Sequence, residues 1–167
     1  MEMINTQVID YSDYDIAQEV EKLKQALQRL NLKTDEKFFS RVEMGDTIEI
    51  YSYPENRQLY RNEEFSRFCS YSAEQMSDIA FPKLFWRSDE DQNALVKRAA
   101  QVALRENGVV SWGLPNHELV ESLHPRKRTY EIKMGSIAPC FDAGSDQRVA
   151  WVSTVRVLLV FEWDQDI

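Results

Sequence analysis

Val149–Trp163 alternates between two sets of side chains for longer than any other segment of the chain. One set is Val149, Trp151, Ser153, Val155, Val157, Leu159 and Phe161; the other is Ala150, Val152, Thr154, Arg156, Leu158, Val160 and Glu162. A period of two sustained this far, in β-branched and aromatic residues, predicts one long strand. The first set is apolar enough for a core. The second is half apolar, too much for a sheet face left open to water, so something must cover it. A chain built on this strand is a sheet with material on both sides.

A cover for the second face is available near the N-terminus. Ile16, Val20, Leu23, Leu27 and Leu30 recur at spacings of 4, 3, 4 and 3, an apolar seam two heptads long. Ser12-Asp13-Tyr14-Asp15 reads as the capping box that opens this helix, and Asn31 as its end. So short a seam does not sustain a free coiled coil, so the helix must dock, either on its own domain or on a second copy. We therefore expect residues 1–44 to be an N-terminal helical extension and 45–167 the domain proper. We also expect a homodimer formed by Ile16, Val20, Leu23, Leu27 and Leu30 together with Val152, Leu158 and Val160 of the outer sheet face.

Between seam and strand the pattern changes several times. A short helix is expected over Asp35–Val42 after the cap Thr34. Asp46–Tyr53 then alternates, with Ile48 and Ile50 on one face and Thr47, Glu49, Tyr51 and Tyr53 on the other. Pro54-Glu55-Asn56 turns, and Arg57–Arg61 returns as the second strand of a hairpin. Asn62 is expected to cap a short helix through Phe65 and Phe68, and Ser72–Gln75 to cap another. Ser88-Asp89-Glu90-Asp91 opens a long helix running to about Asn107, with Gly108 as its stop and Leu95, Ala99, Val102 and Ala103 on its apolar side. Glu118–Leu123 and Arg128–Ile137 read as paired strands about the turn at His124–Lys127, with Tyr130, Ile132 and Met134 inward. Ala143–Asp146 turns into the last strand.

Composition excludes several function classes. The 167 residues hold 28 Asp+Glu against 20 Lys+Arg, a formal charge of −8, which disfavours duplex nucleic acid as a partner. The basic knot His124-Pro125-Arg126-Lys127-Arg128 reads as a surface turn. The longest apolar run is Val157–Phe161, far short of the about 18 residues of a membrane helix. The start Met1-Glu2-Met3-Ile4-Asn5 lacks the pattern of a secretory signal, so a cytoplasmic location is the expectation. Cys69 and Cys140 form no CxxC pair and read as free thiols. His117 and His124 complete no metal-ligand cluster and read as surface residues, and neither makes a recognisable nucleophile pair with Cys140. No glycine-rich phosphate loop is present.

Leu59-Tyr60-Arg61-Asn62-Glu63-Glu64-Phe65, then Tyr71-Ser72-Ala73-Glu74-Gln75-Met76, and Leu84–Asp91 leading into the long helix, resemble the PAS domain family. The ending Phe161-Glu162-Trp163-Asp164-Gln165-Asp166-Ile167 is similar to the family's exit from its last strand, so the resemblance spans Asp46 to Ile167. It implies an α+β fold: a five-stranded antiparallel sheet with helices on one face, preceded here by the amphipathic N-terminal helix. It further implies a non-enzymatic sensor or protein-interaction module in signal transduction, with a signalling protein as partner and a small molecule held between the long helix and the sheet. There the sequence places Leu95, Ala99, Val102, Tyr130, Ile132, Trp151, Ser153 and Val155, with Tyr130 and Ser153 as the polar groups.

The chain also departs from the family. The flavin-binding motif Asn-Cys-Arg-Phe-Leu-Gln has no counterpart, since Cys69 sits in Arg67-Phe68-Cys69-Ser70-Tyr71. Residues 89–107 offer no histidine to a haem, so the resemblance specifies no cofactor. Ala138-Pro139-Cys140 is similar to the pigment-attachment sequence of a photoactive relative, but it lies just before the final turn and reads as coincidence. A cone-shaped α+β fold of the steroid-isomerase type, an enzyme or carrier, is the alternative. It would need an acid–base pair in an apolar cavity, from Tyr130 with Asp142 or His117. Strand order discriminates the two: a hairpin first favours the sensor, helices gathered ahead of the whole sheet favour the cone.

Overall fold

A computed structural model describes residues 2–123 and 127–164. His124, Pro125 and Arg126 of the basic knot, and the exit residues Gln165, Asp166 and Ile167, lie outside the described residues. In chain order the elements are β1 (Glu2–Val8), α1 (Ile16–Arg29), β2 (Leu32–Thr34), a 3-10 helix at Glu36–Arg41, β3 (Thr47–Ser52) and β4 (Gln58–Arg61). A 3-10 helix at Glu64–Arg67, α2 (Ala73–Asp78), α3 (Phe81–Leu84), β5 (Phe85–Trp86) and α4 (Asp89–Leu104) follow. The chain ends in β6 (Val110–Ser111), β7 (His117–Glu121), β8 (Lys127–Asp142) and β9 (Arg148–Asp164). No helix among the described residues is long and apolar enough to cross a membrane.

This is an α+β protein whose nine strands form one curled antiparallel sheet, ordered β4-β3-β9-β8-β7-β5. The β8–β9 ribbon is its spine. On the outer side of β9 lie β3 and then β1, and on the outer side of β8 lie β7, β6 and β2. Short strands can share one long neighbour in this way because the ribbon bends at three register shifts: Glu131/Ile132, Met134/Ile137 and Cys140/Phe141.

The first shift overturns one expectation. Ile132 pairs with Val157 while Glu131 pairs with Leu159, so Leu158 is the extra residue of a bulge. Beyond it the alternation changes face. Val160, expected on the outer face with Val152 and Leu158, packs instead with Tyr130, Val155 and Val157 in the inner core. The middle shift contains Gly135, where an added Cβ would collide with Thr154 Oγ1 and lie 3.3 Å from the Thr154 carbonyl oxygen. That hydroxyl oxygen accepts the Ser136 N–H at 2.9 Å and so fixes the bend. Gly135→Ala is expected to cost about 1–3 kcal/mol, the range for forcing a methyl into filled space. Thermal melts of a double-mutant cycle with Thr154→Ala check it: the Gly135→Ala cost should shrink in that background, and full additivity would remove the steric explanation.

The outer sheet face is covered by the chain's own seam. Leu23 and Leu27 are buried with Phe38, Ile48, Ile50, Ala138, Cys140, Ala150 and Val152, while Val20 and Leu30 pack at the border. Val152, expected at a subunit interface, is fully buried under α1, and Ile16 at the helix start is exposed. The cap is Asp15, whose side chain accepts the Gln18 N–H at 3.1 Å, rather than Ser12. Residues 1–44 contribute more than a helical extension, since β1 and β2 join the sheet.

Asn62 also differs from its expected role as a helix cap. Its Oδ1 accepts the Ile48 N–H at 3.0 Å, and its Nδ2 donates to the Asp46 carbonyl and to Glu19 Oε2, each at 3.1 Å. Tyr14 Oη donates to the same carbonyl at 2.6 Å. One buried amide thus ties α1, the start of β3 and the end of β4 together. Ser72 and Ser88 do cap α2 and α4 as the sequence predicts.

Candidate functional site

The other face of the sheet carries α2, α3 and α4. Near the α4 midpoint, Ala99, Val102 and Ala103 pack against Trp112, Ile137 and Trp151, where small side chains let the helix approach the sheet closely. Farther along, Phe65, Phe85, Tyr130 and Ile132 fill the space. Between these two packed regions lies a cavity of about 700 Å³, within the range of small-molecule sites. Its floor is the inner sheet face, including Tyr51, Ile132, Trp151, Ser153 and Val155; its other walls include Met76, Ile79, Phe81, Arg87 and Leu95.

Five of the eight residues expected there, Leu95, Ile132, Trp151, Ser153 and Val155, line the cavity. Ala99 and Val102 do not, being consumed by the Trp112 contact. Tyr130 does not either. It is fully buried in the neighbouring core, where its hydroxyl donates to Glu121 Oε1 and lies 3.2 Å from the Phe68 carbonyl oxygen. Glu121 is also fully buried, its Oε1 accepts the Ser70 N–H at 2.8 Å, and its Oε2 has no partner among the described residues. Burial, reinforced by that carboxylate, drives the Tyr130 hydroxyl far above its ordinary pKa.

The acid–base pair that a cone-fold enzyme would need is not assembled. Asp142 caps the β8–β9 turn, taking the N–H groups of Gly144 and Ser145 at 2.9 Å each, and these bonds hold its carboxyl below the usual range. His117, expected at the surface, is buried with Nδ1 3.2 Å from the Pro115 carbonyl oxygen, and burial lowers its pKa. His124 lies outside the described residues. Both cysteines are buried free thiols, and burial pushes Cys140 up to about 12, which makes it unreactive. Among the described residues no group of His, Cys, Asp and Glu is placed to hold a metal ion, and no histidine or cysteine lines the cavity.

Several of the polar groups that do line it come from the hairpin face opposite Ile48 and Ile50. Ile48 and Ile50 point to α1, so Glu49 and Tyr51 turn inward to the cavity. Arg61 Nε donates to Glu49 Oε1 at 3.1 Å, and its Nη2 donates to Gln58 Oε1 at 2.6 Å. The same guanidinium lies 4.6 Å over the Phe81 ring. Burial works against the Arg61 charge, but Glu49 and Tyr51 outweigh it and hold its pKa above the ordinary value. Tyr51 stacks on Trp151 at 4.7 Å and 19°, and Trp151 meets Trp112 edge-on at 5.6 Å.

Arg87 is less satisfied. Its Nη1 is buried without a hydrogen-bond partner among the described residues, and burial pulls its pKa down. Trp112 Nε1, another donor of a lining residue, is likewise buried without a partner. The sequence signal for these groups is faint: Arg87 stands one residue before a helix cap, where a solvated arginine is the usual reading. Chemically the site is an aromatic-walled pocket with a cationic corner. Comparison with protein-family models, with curated proteins and with solved structures returned no match to this chain.

Proposed function

We propose that this chain is a non-enzymatic sensor module of the PAS type, which holds a small organic molecule in the cavity between sheet and helices. The observation that carries the reading is the cavity itself, set between the packed clusters that α4 and the inner sheet face form. Strand order supports it. After β1, α1 and β2 comes the hairpin β3–β4, ahead of α2, α3 and α4, and β7, β8 and β9 complete the five neighbours β4-β3-β9-β8-β7. In this reading β1, β2, β5 and β6 are additions at the edges of a five-stranded sensor sheet.

A route for the signal follows from β9. Its Trp151, Ser153 and Val155 line the cavity, while the intervening Ala150 and Val152 pack under Leu23 and Leu27 of α1. A ligand that shifts β9 changes the seat of α1, and a signalling partner reads α1 or the strands beside it. A homodimer in this scheme forms through surfaces outside Leu23 and Leu27, because both are consumed within the chain.

A native mass spectrum of the purified protein, set against its denatured mass, tests the reading and reports the oligomeric state together with any ligand. The expected result is a non-covalent mass excess. Leu95→Trp, which puts an indole into the cavity from α4, should abolish that excess while the circular dichroism spectrum stays unchanged. A bare chain mass in the wild type, or an excess that survives Leu95→Trp, would count against a ligand in this cavity.

A further inference from the structure

The electrostatics of the cavity go further than its volume. The chain as a whole carries a formal charge of −8, yet Arg29, Arg57, Arg61 and Arg87 line this one cavity against Glu49 and Asp78. A buried charge is tolerated when it is paired and hydrogen-bonded. Arg61 meets that condition through Glu49 and Gln58. Arg87 does not. The carboxylates whose fields reach it are those of Glu49 and Asp91, together with the Tyr51 hydroxyl. Glu49 is already bonded to Arg61, and Asp91 accepts the Ser88 hydroxyl at 2.7 Å within the first turn of α4. Arg87 Nη1 and Trp112 Nε1 are therefore two donors of cavity-lining side chains with no acceptor supplied by the described protein.

We propose that the cavity is built for an organic anion: a carboxylate- or sulfonate-like head on Arg87 and Trp112 Nε1, and an apolar ring against Tyr51, Trp151 and Phe81. The inference rests on the reading of this cavity as the ligand site and adds the chemical class of the ligand. Both donors are buried, so an anionic oxygen meets them as the Arg87 and Trp112 side chains turn toward it. It then supplies what each lacks, and a charge-assisted bond to a guanidinium is among the stronger polar contacts a protein makes. The aromatic stack and the apolar residues Leu95, Ile132 and Val155 give the rest of the molecule an apolar surface. A neutral apolar molecule would leave the buried Arg87 donor without an acceptor, so it gains nothing from this corner of the site. A wholly polar anion such as inorganic phosphate would leave the aromatic floor uncovered.

Two probes with the same ring body separate charge from shape: anilinonaphthalene sulfonate, and phenylnaphthylamine, which lacks the sulfonate. Both report binding by fluorescence, with the wild type, Arg87→Gln, Arg87→Lys and Leu95→Trp titrated in parallel after thermal melts establish folding. The sulfonate should bind the wild type at least about ten-fold tighter than the neutral probe. Arg87→Gln should erase that preference, Arg87→Lys should keep part of it, and Leu95→Trp should block both probes. In the wild type the Trp112 indole N–H resonance should shift with the sulfonate and not with the neutral probe, a readout that needs no variant.

If Leu95→Trp blocks both probes but the sulfonate holds no advantage, or Arg87→Gln leaves that advantage intact, the anion inference fails and the ligand pocket stands. If neither probe binds, or Leu95→Trp changes neither affinity, the pocket reading fails and takes the anion inference with it.

Discussion

Leu23→Asp is expected to leave the chain unfolded at room temperature, whereas Ile16→Asp, seven residues earlier on the same seam, leaves it folded. The difference is burial. Leu23 is fully enclosed between α1 and the outer sheet face, packed in the cluster that holds Ile48, Ile50, Ala150 and Val152, while Ile16 is exposed at the helix start. Truncating such a leucine to alanine alone costs about 3–5 kcal/mol, from lost transfer energy and the cavity left behind. An aspartate adds an unpaired buried charge, for several kcal/mol more. That sum is comparable with the whole stability of a domain, about 5–15 kcal/mol. Far-UV circular dichroism distinguishes the two variants directly. Leu23→Ala supplies the measurable version: a urea midpoint lowered in proportion to about 3–5 kcal/mol with an unchanged slope. A Leu23→Asp chain that keeps its native spectrum would mean that α1 does not dock where it is described. The result also governs how dimerisation can be tested. Charges placed at Leu23 and Leu27 would measure unfolding of one chain, so sedimentation of variants at exposed sites such as Met3, Ile4 or Val8 on β1 is the informative experiment.

Much of this architecture was legible because it rests on periodicity. The two-heptad spacing of Ile16–Leu30 predicts α1, the long alternation predicts β9, and the half-apolar outer face predicts that something like α1 must lie on it. Periodicity carries no information about a bulge. A single extra residue at Leu158 reverses the facing of everything after it, which is why Val160 belongs to the inner core. The strand β1 was also invisible. Glu2–Val8 is exposed along its whole length, and pairing with β9, rather than burial of an apolar face, places it in the sheet.

The site shows a subtler failure. Apolar residues mark a core, and in the hairpin they do mark one, but it is the core under α1 rather than the cavity side. The mixed face with Glu49 and Tyr51, to which the sequence assigns no role, turns to the cavity and supplies some of its polar groups. Hydropathy located five apolar or small lining residues and missed Arg61 and Arg87, because a charged residue inside a folded domain breaks the pattern on which such reasoning relies. In this chain the charged lining of the cavity lies where hydropathy reasoning fails.

Asp46→Asn should stabilise the protein above neutral pH and lose that advantage in acid. Asp46 stands at the entrance to β3 and is 5% exposed. Burial raises its carboxyl to about 7, against the opposing pull of the Glu43 N–H, which donates to Oδ2 at 2.7 Å, and of Arg156 and Lys133; the Glu43 carboxylate adds to the rise. An acid whose folded pKa lies above its unfolded value of 3.8 binds its proton more tightly when folded. Its contribution to stability is therefore fully present below pH about 4, declines through the window between about 4 and 7, and is absent above it. At 1.4 kcal/mol per pH unit the span comes to about 4 kcal/mol. Asparagine keeps an oxygen for the Glu43 N–H and carries no charge, so it escapes the desolvation cost that the carboxylate bears in alkaline solution. Neighbouring links are untouched, since Tyr14 and Asn62 bond the backbone carbonyl of residue 46 rather than its side chain. Thermal melts of both proteins at pH 5 and pH 8 decide the matter. The asparagine variant should melt several degrees above the wild type at pH 8, with the gap narrowing by pH 5 as the wild-type carboxyl takes up its proton. Parallel pH profiles would show that Asp46 titrates as an ordinary exposed carboxyl and would overturn the prediction.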